Sequence, residues 1–295
     1  MFWALLMTSA LSADLGADER ACEGADGAAC MRLATRSLRG DGVARDAHLA
    51  MRLWAQACRH QHGPGCTAQA DAFAHGEVVG LDYSRATELY AQGCDLGDGT
   101  ACRALGELHL MGALGTLDGT TAGLWYQRGC ENKDAESCTA VGLWLERGDG
   151  GTKDPGLARA LFQQACDMGH ARGCTQLGIR LQLGDGVKRD AEAAVTWFER
   201  GCRAEAWDPE ACREWGLAQV EGKVVPQEAV QGRVDLERAC YAGDHIGCRY
   251  LADLLRKSAT EEALIAAERG CELGDALSCS KSQKLRYRLI LKSQR

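Results

Sequence analysis

Apolar residues recur along this chain at three- and four-residue steps, the period of helices rather than of alternating strands. Between Gly173 and Leu183, for example, Cys174, Leu177, Ile179 and Leu181 fall at helix-compatible spacings. A polar, glycine-bearing run follows, Gly184-Asp-Gly-Val-Lys-Arg-Asp190, and then a second periodic stretch from Ala191 to Arg200. Glycine directly after the last periodic residue marks a helix stop, because it adopts positive φ at little cost. Asp190 stands where an N-cap belongs, since its carboxylate accepts an otherwise unpaired backbone N–H. The same glycine-to-aspartate separation recurs at Gly40/Asp46, Gly76/Asp82, Gly112/Asp118 and Gly148/Asp154. It becomes Gly222/Glu228 around Pro226, and Lys257-Ser-Ala-Thr260 replaces the loop further on. The pattern predicts a succession of two-helix repeats.

The repeats keep a ruler. Sixteen cysteines lie in consecutive pairs, seven separated by 8 residues and one, Cys202–Cys212, by 10. The first members advance by 36 from Cys22 to Cys202, then by 38 and 31. A period of this size signals a repeat array, and it replaces the two domains that 295 residues would otherwise suggest with one elongated object. Other columns share the step. Small residues run Ala34, Ala70, Gly106, Gly142, Gly178, Gly216, Ala252, and again Ala57, Gly93, Gly129, Ala165, Gly201, Ala239, Gly270. Large ones run Trp54, Tyr90, Tyr126, Phe162, Phe198, Leu236. Small residues let helix backbones approach, and large ones fill the space between layers.

The cysteine spacing bears on chemistry. Eight residues of straight helix span ~12 Å, too far for a disulfide. A tight turn between two antiparallel helices brings the pair within reach. One helix is therefore expected to end at the first cysteine of a pair and the next to begin at the second. The expected staples are Cys22–Cys30, Cys58–Cys66, Cys94–Cys102, Cys130–Cys138, Cys166–Cys174, Cys202–Cys212, Cys240–Cys248 and Cys271–Cys279. Structural zinc sites use closer cysteine pairs, and dithiol redox sites use C-x-x-C; neither spacing occurs. His60, His62 and His75 fall in one repeat, and the first two read as part of a polar loop, His-Gln-His-Gly-Pro-Gly, rather than as metal ligands. No metal or cofactor is expected.

Taken together, C-x7-C, Leu-Gly, Gly-x-Gly-Val-x-x-Asp, Ala-x-x-Trp/Tyr-Phe and Ala-Cys resemble the Sel-like repeat (SLR) family, a relative of tetratricopeptide repeats, over about residues 20 to 280. The stapled form is similar to the secreted bacterial cysteine-rich SLR proteins. The resemblance implies an all-α, right-handed α/α solenoid of about seven helix pairs. Repeats are expected near 22–57, 58–93, 94–129, 130–165, 166–201, 202–239 and 240–270, with a capping helix in 271–295. Two departures stand out: an insertion at Trp207-Asp-Pro, and Gln283 where a small residue belongs.

The resemblance also implies a concave face built by the first helix of each repeat, read by a protein or peptide partner. Two columns are expected there: Met31, Thr67, Arg103, Thr139, Thr175, Arg213, Arg249, and Thr35, Asp71, Glu107, Leu143, Ile179, Leu217, Asp253. Arg103, Glu107, Arg213, Arg249 and Asp253 are the candidate binding residues, the arginines as forks for a partner's carboxylates. Some cysteine-rich SLR proteins are described as binding or slowly hydrolysing β-lactams, which gives a β-lactam-binding hydrolase as the alternative. Ser278 and Lys281 match its S-x-x-K motif, but the accompanying S-D-N and K-T-G are missing. A second alternative, from eukaryotic relatives, is an assembly factor of an oxidising compartment.

Composition narrows the setting. Hydrophobic residues make up 46% and charged residues 25%, as in ordinary globular chains, and the net charge of −7 supplies no field for nucleic acid. The apolar residues 1–13 resemble a secretory signal and, with sixteen cysteines, point to a secreted or periplasmic protein, expected as a monomer. No stretch approaches ~18 uninterrupted apolar residues, so no transmembrane helix is expected. The last fifteen residues carry Lys281, Lys284, Arg286, Arg288, Lys292 and Arg295 and no acid, a pattern open to contact with a membrane surface or an acidic partner but read as a capping helix with a solvated face.

Overall fold

Helices of 13 residues are the building block. The computed structural model describes residues 15–294 apart from 77, 116, 150–152 and 185–187; the expected signal at 1–13 lies outside the described residues. Residues 15–23 form α1. There follow α2 (Gly27–Arg39), α3 (Ala47–Arg59), α4 (Gly63–His75), α5 (Tyr83–Asp95), α6 (Gly99–Met111), α7 (Gly119–Glu131) and α8 (Ala135–Arg147). Then come α9 (Pro155–Asp167), α10 (Ala171–Leu183), α11 (Ala191–Arg203), α12 (Pro209–Glu221) and α13 (Ala229–Tyr241). The chain continues with α14 (His245–Leu255), α15 (Thr260–Glu272) and α16 (Ala276–Ser293). The protein is all-α, a disulfide-stapled array of helix pairs. It divides between Lys153 and Asp154 into two compact halves. Within each half consecutive helices pack together, and α2/α4/α6/α8 and α10/α12/α14/α16 also touch their neighbours two along.

The loop after each even-numbered helix follows the sequence closely. Gly40, Gly76, Gly112, Gly148, Gly184 and Gly222 are left-handed C-caps, with φ from 64° to 79°. Asp46, Asp82, Asp118, Asp154 and Asp190 accept the backbone N–H three residues on. Glu228 occupies the same position but makes no side-chain cap, its carboxylate being one methylene further from the backbone. Where Lys257-Ser-Ala-Thr260 replaces the loop, α14 stops at Leu255 without a left-handed residue.

The stapled turn is tighter than expected. The odd-numbered helices run one residue past the first cysteine, and the even-numbered ones begin three residues before the second. Three residues remain between them, except at Cys202–Cys212, where there are five and the last, Asp208, is the N-cap. The middle one is left-handed, as at Gly97 and Gly169, or at Ala25, Gln61 and Lys133. The third is an N-cap: Asp26, Asp98, Asp134, Asp208, Asp244 and Asp275 accept backbone N–H groups, while His62 and His170 make no side-chain cap bond. The poor helix formers Gly27, Gly63 and Gly99 at the first helical position hide this start in the sequence. All eight expected pairs are bonded, with Cα atoms 4.4 to 4.8 Å apart, and no cysteine is free.

At each staple the residues just before the two cysteines face one another, and from the second staple onward one is glycine and the other alanine or serine. The pairs are Ala57/Gly65, Gly93/Ala101, Gly129/Ser137, Ala165/Gly173, Gly201/Ala211, Ala239/Gly247 and Gly270/Ser278. A Cβ on Gly65 would lie 2.5 Å from Ala57 Cβ and 2.9 Å from Cys58 N; one on Gly173 would lie 2.7 Å from Ala165 Cβ. One side-chain carbon fills each of these seven crossings with little room for a second, whereas the first staple sets Ala21 beside Ala29. Gly65→Ala is therefore expected to lower stability by about 2 kcal/mol through overpacking. Ala57→Gly, costing ~1 kcal/mol alone, should recover part of that loss when the two are combined. Urea unfolding of the four proteins tests this coupling; strictly additive changes would contradict it.

Between the helices of a pair, large residues fill the opposite small column. A Cβ on Gly106 would meet the Tyr126 ring at 2.9 Å, and one on Gly178 the Phe198 ring at 2.6 Å. Phe162, Phe198 and Leu236 are at most 1% exposed.

Candidate binding face

The even-numbered helices carry both columns expected to meet a partner, and the structure separates their roles. The first column is internal. Thr67 Oγ1 donates to Asp98 (2.5 Å), Thr175 Oγ1 to Asp208 (3.0 Å), Arg213 Nη1 to Asp244 (2.8 Å) and Arg249 Nη1 to Asp275 (3.3 Å), and Arg103 Nε lies 3.4 Å from Asp134. Each acceptor is the N-cap of the next even-numbered helix. Its carboxylate thus caps its own helix and takes a donor from the helix before. Thr139 and Thr175 are buried.

The arginines are the most committed members. Arg213, with 8% of its side chain exposed, bonds Glu210, Glu214 and Asp244. Burial works against its charge, but Asp244 and the two glutamates outweigh it and raise its pKa. Arg103 is likewise opposed by burial and held cationic by Glu136, Glu107 and Asp134. These guanidiniums have carboxylate partners within the chain.

The second column is the surface. None of Thr35, Asp71, Glu107, Leu143, Ile179, Leu217 and Asp253 is buried. Asp71 accepts the Tyr90 hydroxyl (2.5 Å), Glu107 holds Arg103 and Asp253 holds Lys281. Burial of the Tyr126 phenol, with Glu107 next in weight, pushes its pKa up to about 12. Leu143 in the first half, and Ile179 and Leu217 in the second, are half-buried aliphatic side chains on this face.

Odd-numbered helices make a second ladder that sequence reasoning missed. Gln56 donates to Cys22 O, Asn132, just past α7, to Cys94 O, Arg200 to Cys166 O and Arg269 to Cys240 O, at 3.1 to 3.2 Å. These bonds satisfy carbonyls at the C-terminal ends of the preceding odd-numbered helices. The insertion lies at 204–206 rather than at Trp207-Asp-Pro, because Asp208 is the regular N-cap of α12 and Pro209 its first residue; it borders a cleft of about 890 Å³ beside α11, lined by Met168, Trp197, Arg200, Arg203 and Glu205 among others. The spacing marked this insertion, but nothing in the sequence gave it a wall to form.

Ser278 and Lys281 are drawn to different partners. Ser278 is fully buried, fills the methyl slot opposite Gly270, and donates to Asp275 Oδ2 (2.5 Å). Burial pushes the Asp275 pKa up, but bonds from Ser278 and the charge of Arg249 outweigh it, so the group is lowered overall. Ser137 makes the same bond to Asp134, opposite Gly129. Lys281 binds Asp253. His75 bonds Asp71 O at the far end of α4 from His60 and His62. No cluster of three metal-ligating side chains occurs among the described residues.

The repeat geometry has a counterpart among known families. The Sel1 repeat model matches residues 27–62, 68–98, 99–134, 135–170 and 171–205, more than half of the chain. The chain belongs to the Sel1 repeat family. Four of the Sel1 windows open at the first residue of an even-numbered helix rather than at a cysteine, and the last closes in the 204–206 insertion. Among solved structures, a Sel1 repeat protein from Oxalobacter formigenes is similar at 24% identity and TM-score 0.65, over 74% of this chain and 88% of its own. A protective antigen of uropathogenic Escherichia coli strains displaying an SLR fold is similar at 20% identity and TM-score 0.52, over 93% and 68%. Cysteine rich protein B of Helicobacter pylori aligns over 44% of this chain and 93% of its own, at 23% identity and TM-score 0.37. At these identities the likeness is one of fold. No curated protein matches the chain in sequence. No helix among the described residues of this Sel1 repeat protein is long and apolar enough to cross a membrane.

Proposed function

We propose that this Sel1 repeat protein is a secreted or periplasmic scaffold that binds a protein or peptide segment on the face of its even-numbered helices. The observation that carries this reading is the division of labour between the two columns. Five members of the first are tied into the N-cap ladder and hold the face rigid. The second differs from repeat to repeat and stays at least partly exposed, although Ile179 and Leu217 also pack against the core. In the second half it offers Ile179 and Leu217 as apolar contacts beside the charge of Asp253. A face pre-organised by staples on one side and ladder bonds on the other loses little entropy when a partner docks. Eight disulfides fit an oxidising compartment outside the cytoplasm.

The test uses the oxidised full chain as bait, with two double variants. Ile179→Glu/Leu217→Glu alters the proposed face; Trp197→Ala/Arg203→Ala alters the cleft beside α11. The partner captured by the unaltered chain is expected to be lost by the first and kept by the second. The opposite pattern would move the binding site to the cleft.

A further inference from the structure

The helix α16 carries a surface that the scaffold reading leaves unused. It has 18 residues, against 13 in the helices of most repeats. One side packs onto the protein through Ser278, Ser282 and Leu285, none more than 7% exposed. Its described cations then divide into two sets. Lys281 binds Asp253 and Arg286 binds Glu268. Lys284, Arg288 and Lys292 make no ion pair among the described residues, and they recur at four-residue steps, which places them in one stripe along the helix. Beside that stripe, on the same solvent side, stand Leu277, Tyr287 and Leu291, exposed by 58%, 64% and 43%. The helix contains no acidic residue, in a chain whose net charge is −7.

We propose that this exposed arc of α16 docks the protein onto an anionic lipid surface. An unpaired cation row next to an apolar row is the pattern of a helix lying in the plane of a membrane interface. Lysine and arginine stems lie along the apolar boundary while their charged ends reach lipid phosphates, and a tyrosine suits the same depth. A second copy of this chain is a poorer match, because a symmetric contact would set this cation row against itself. An acidic protein would need an apolar groove cut to the same pitch, whereas a lipid surface needs only charge and shallow insertion. The proposal is independent of the partner-binding face.

The experiment is co-sedimentation of the oxidised full chain with vesicles of phosphatidylcholine alone, or of phosphatidylcholine and phosphatidylglycerol in equal parts. Binding is expected to the charged vesicles only and to vanish at high salt. Lys284→Gln/Arg288→Gln/Lys292→Gln should weaken it about a hundredfold. Tyr287→Ser/Leu291→Ser should weaken it about tenfold. Both variants should keep the parent's thermal midpoint, since these side chains are exposed. Equal affinity for both vesicles, no binding to the charged ones, or an unaffected triple variant would each overturn the proposal. So would self-association in sedimentation velocity that the triple variant abolishes while vesicles stay unbound; the arc would then be a contact between copies.

Discussion

Full reduction of the eight disulfides is expected to abolish the cooperative unfolding transition of this protein. Each bond closes a loop of 8 or 10 residues. On a loop-entropy model a closure of that size contributes roughly 2.5 kcal/mol, and engineered examples often give less. Even a third of that value, repeated eight times, is comparable to the ~5–15 kcal/mol by which a typical domain is stable. The repeats have no single large core to compensate. Their buried residues form separate clusters, each shared by neighbouring helices. Several of the cysteines are 0% exposed, so reduction requires prior unfolding in denaturant. After sixteen thiols have been titrated and denaturant removed, circular dichroism should show a broad, shallow melt in place of a sharp one. A sharp melt at the original midpoint would mean that helix packing and N-caps alone hold the array.

Arg213→Ala should be the most damaging single substitution among the ladder residues, lowering stability by about 3–5 kcal/mol. The guanidinium is 8% exposed and its partner Asp244 7%. Removing the cation leaves Asp244 and the largely buried Glu214 facing each other without compensation. The more exposed Glu210 can turn to water and adds little. Arg103 occupies the equivalent place with 26% exposure, so Arg103→Ala should cost about half as much. Pairing Arg213→Met with Asp244→Asn should recover part of the loss, since asparagine still caps α14 and only Glu214 is left without its cation. Guanidinium unfolding of the three variants checks the ordering. A loss below ~1 kcal/mol for Arg213→Ala would mean that water replaces the guanidinium without difficulty.

The helix pairs, the glycine–aspartate loops and the staples were all legible in the sequence, because each depends on local chemistry that repeats. A positive φ calls for glycine, and a free N–H calls for a short carboxylate. The N-cap ladder was not legible, for a different reason. Thr67, Arg103, Thr175, Arg213 and Arg249 share no side-chain type, only the ability to donate. Variation in side-chain type along a column hides a shared hydrogen-bonding role. The signal was a correlation at a distance: an aspartate 31 residues on from Thr67, Arg103 and Arg213. Where His62 takes the aspartate's place, Met31 stands in the donor column. The cleft beside α11 had no such signal, because it arises from an insertion that breaks the period.

The one-carbon crossings at seven of the staples also constrain how such a chain can gain or lose length. Deleting residues 58–93 removes one period measured from cysteine to cysteine, but it sets Ala57 against Ala101, two methyls where these crossings hold one. Deleting residues 77–112 removes the same length between two loops and takes the whole Gly93/Ala101 crossing with it. Every remaining crossing keeps its own partner. Insertions and deletions in descendants of this gene should therefore have their breakpoints in the glycine-to-aspartate loops, so that the heritable module is a stapled turn with a helix on either side.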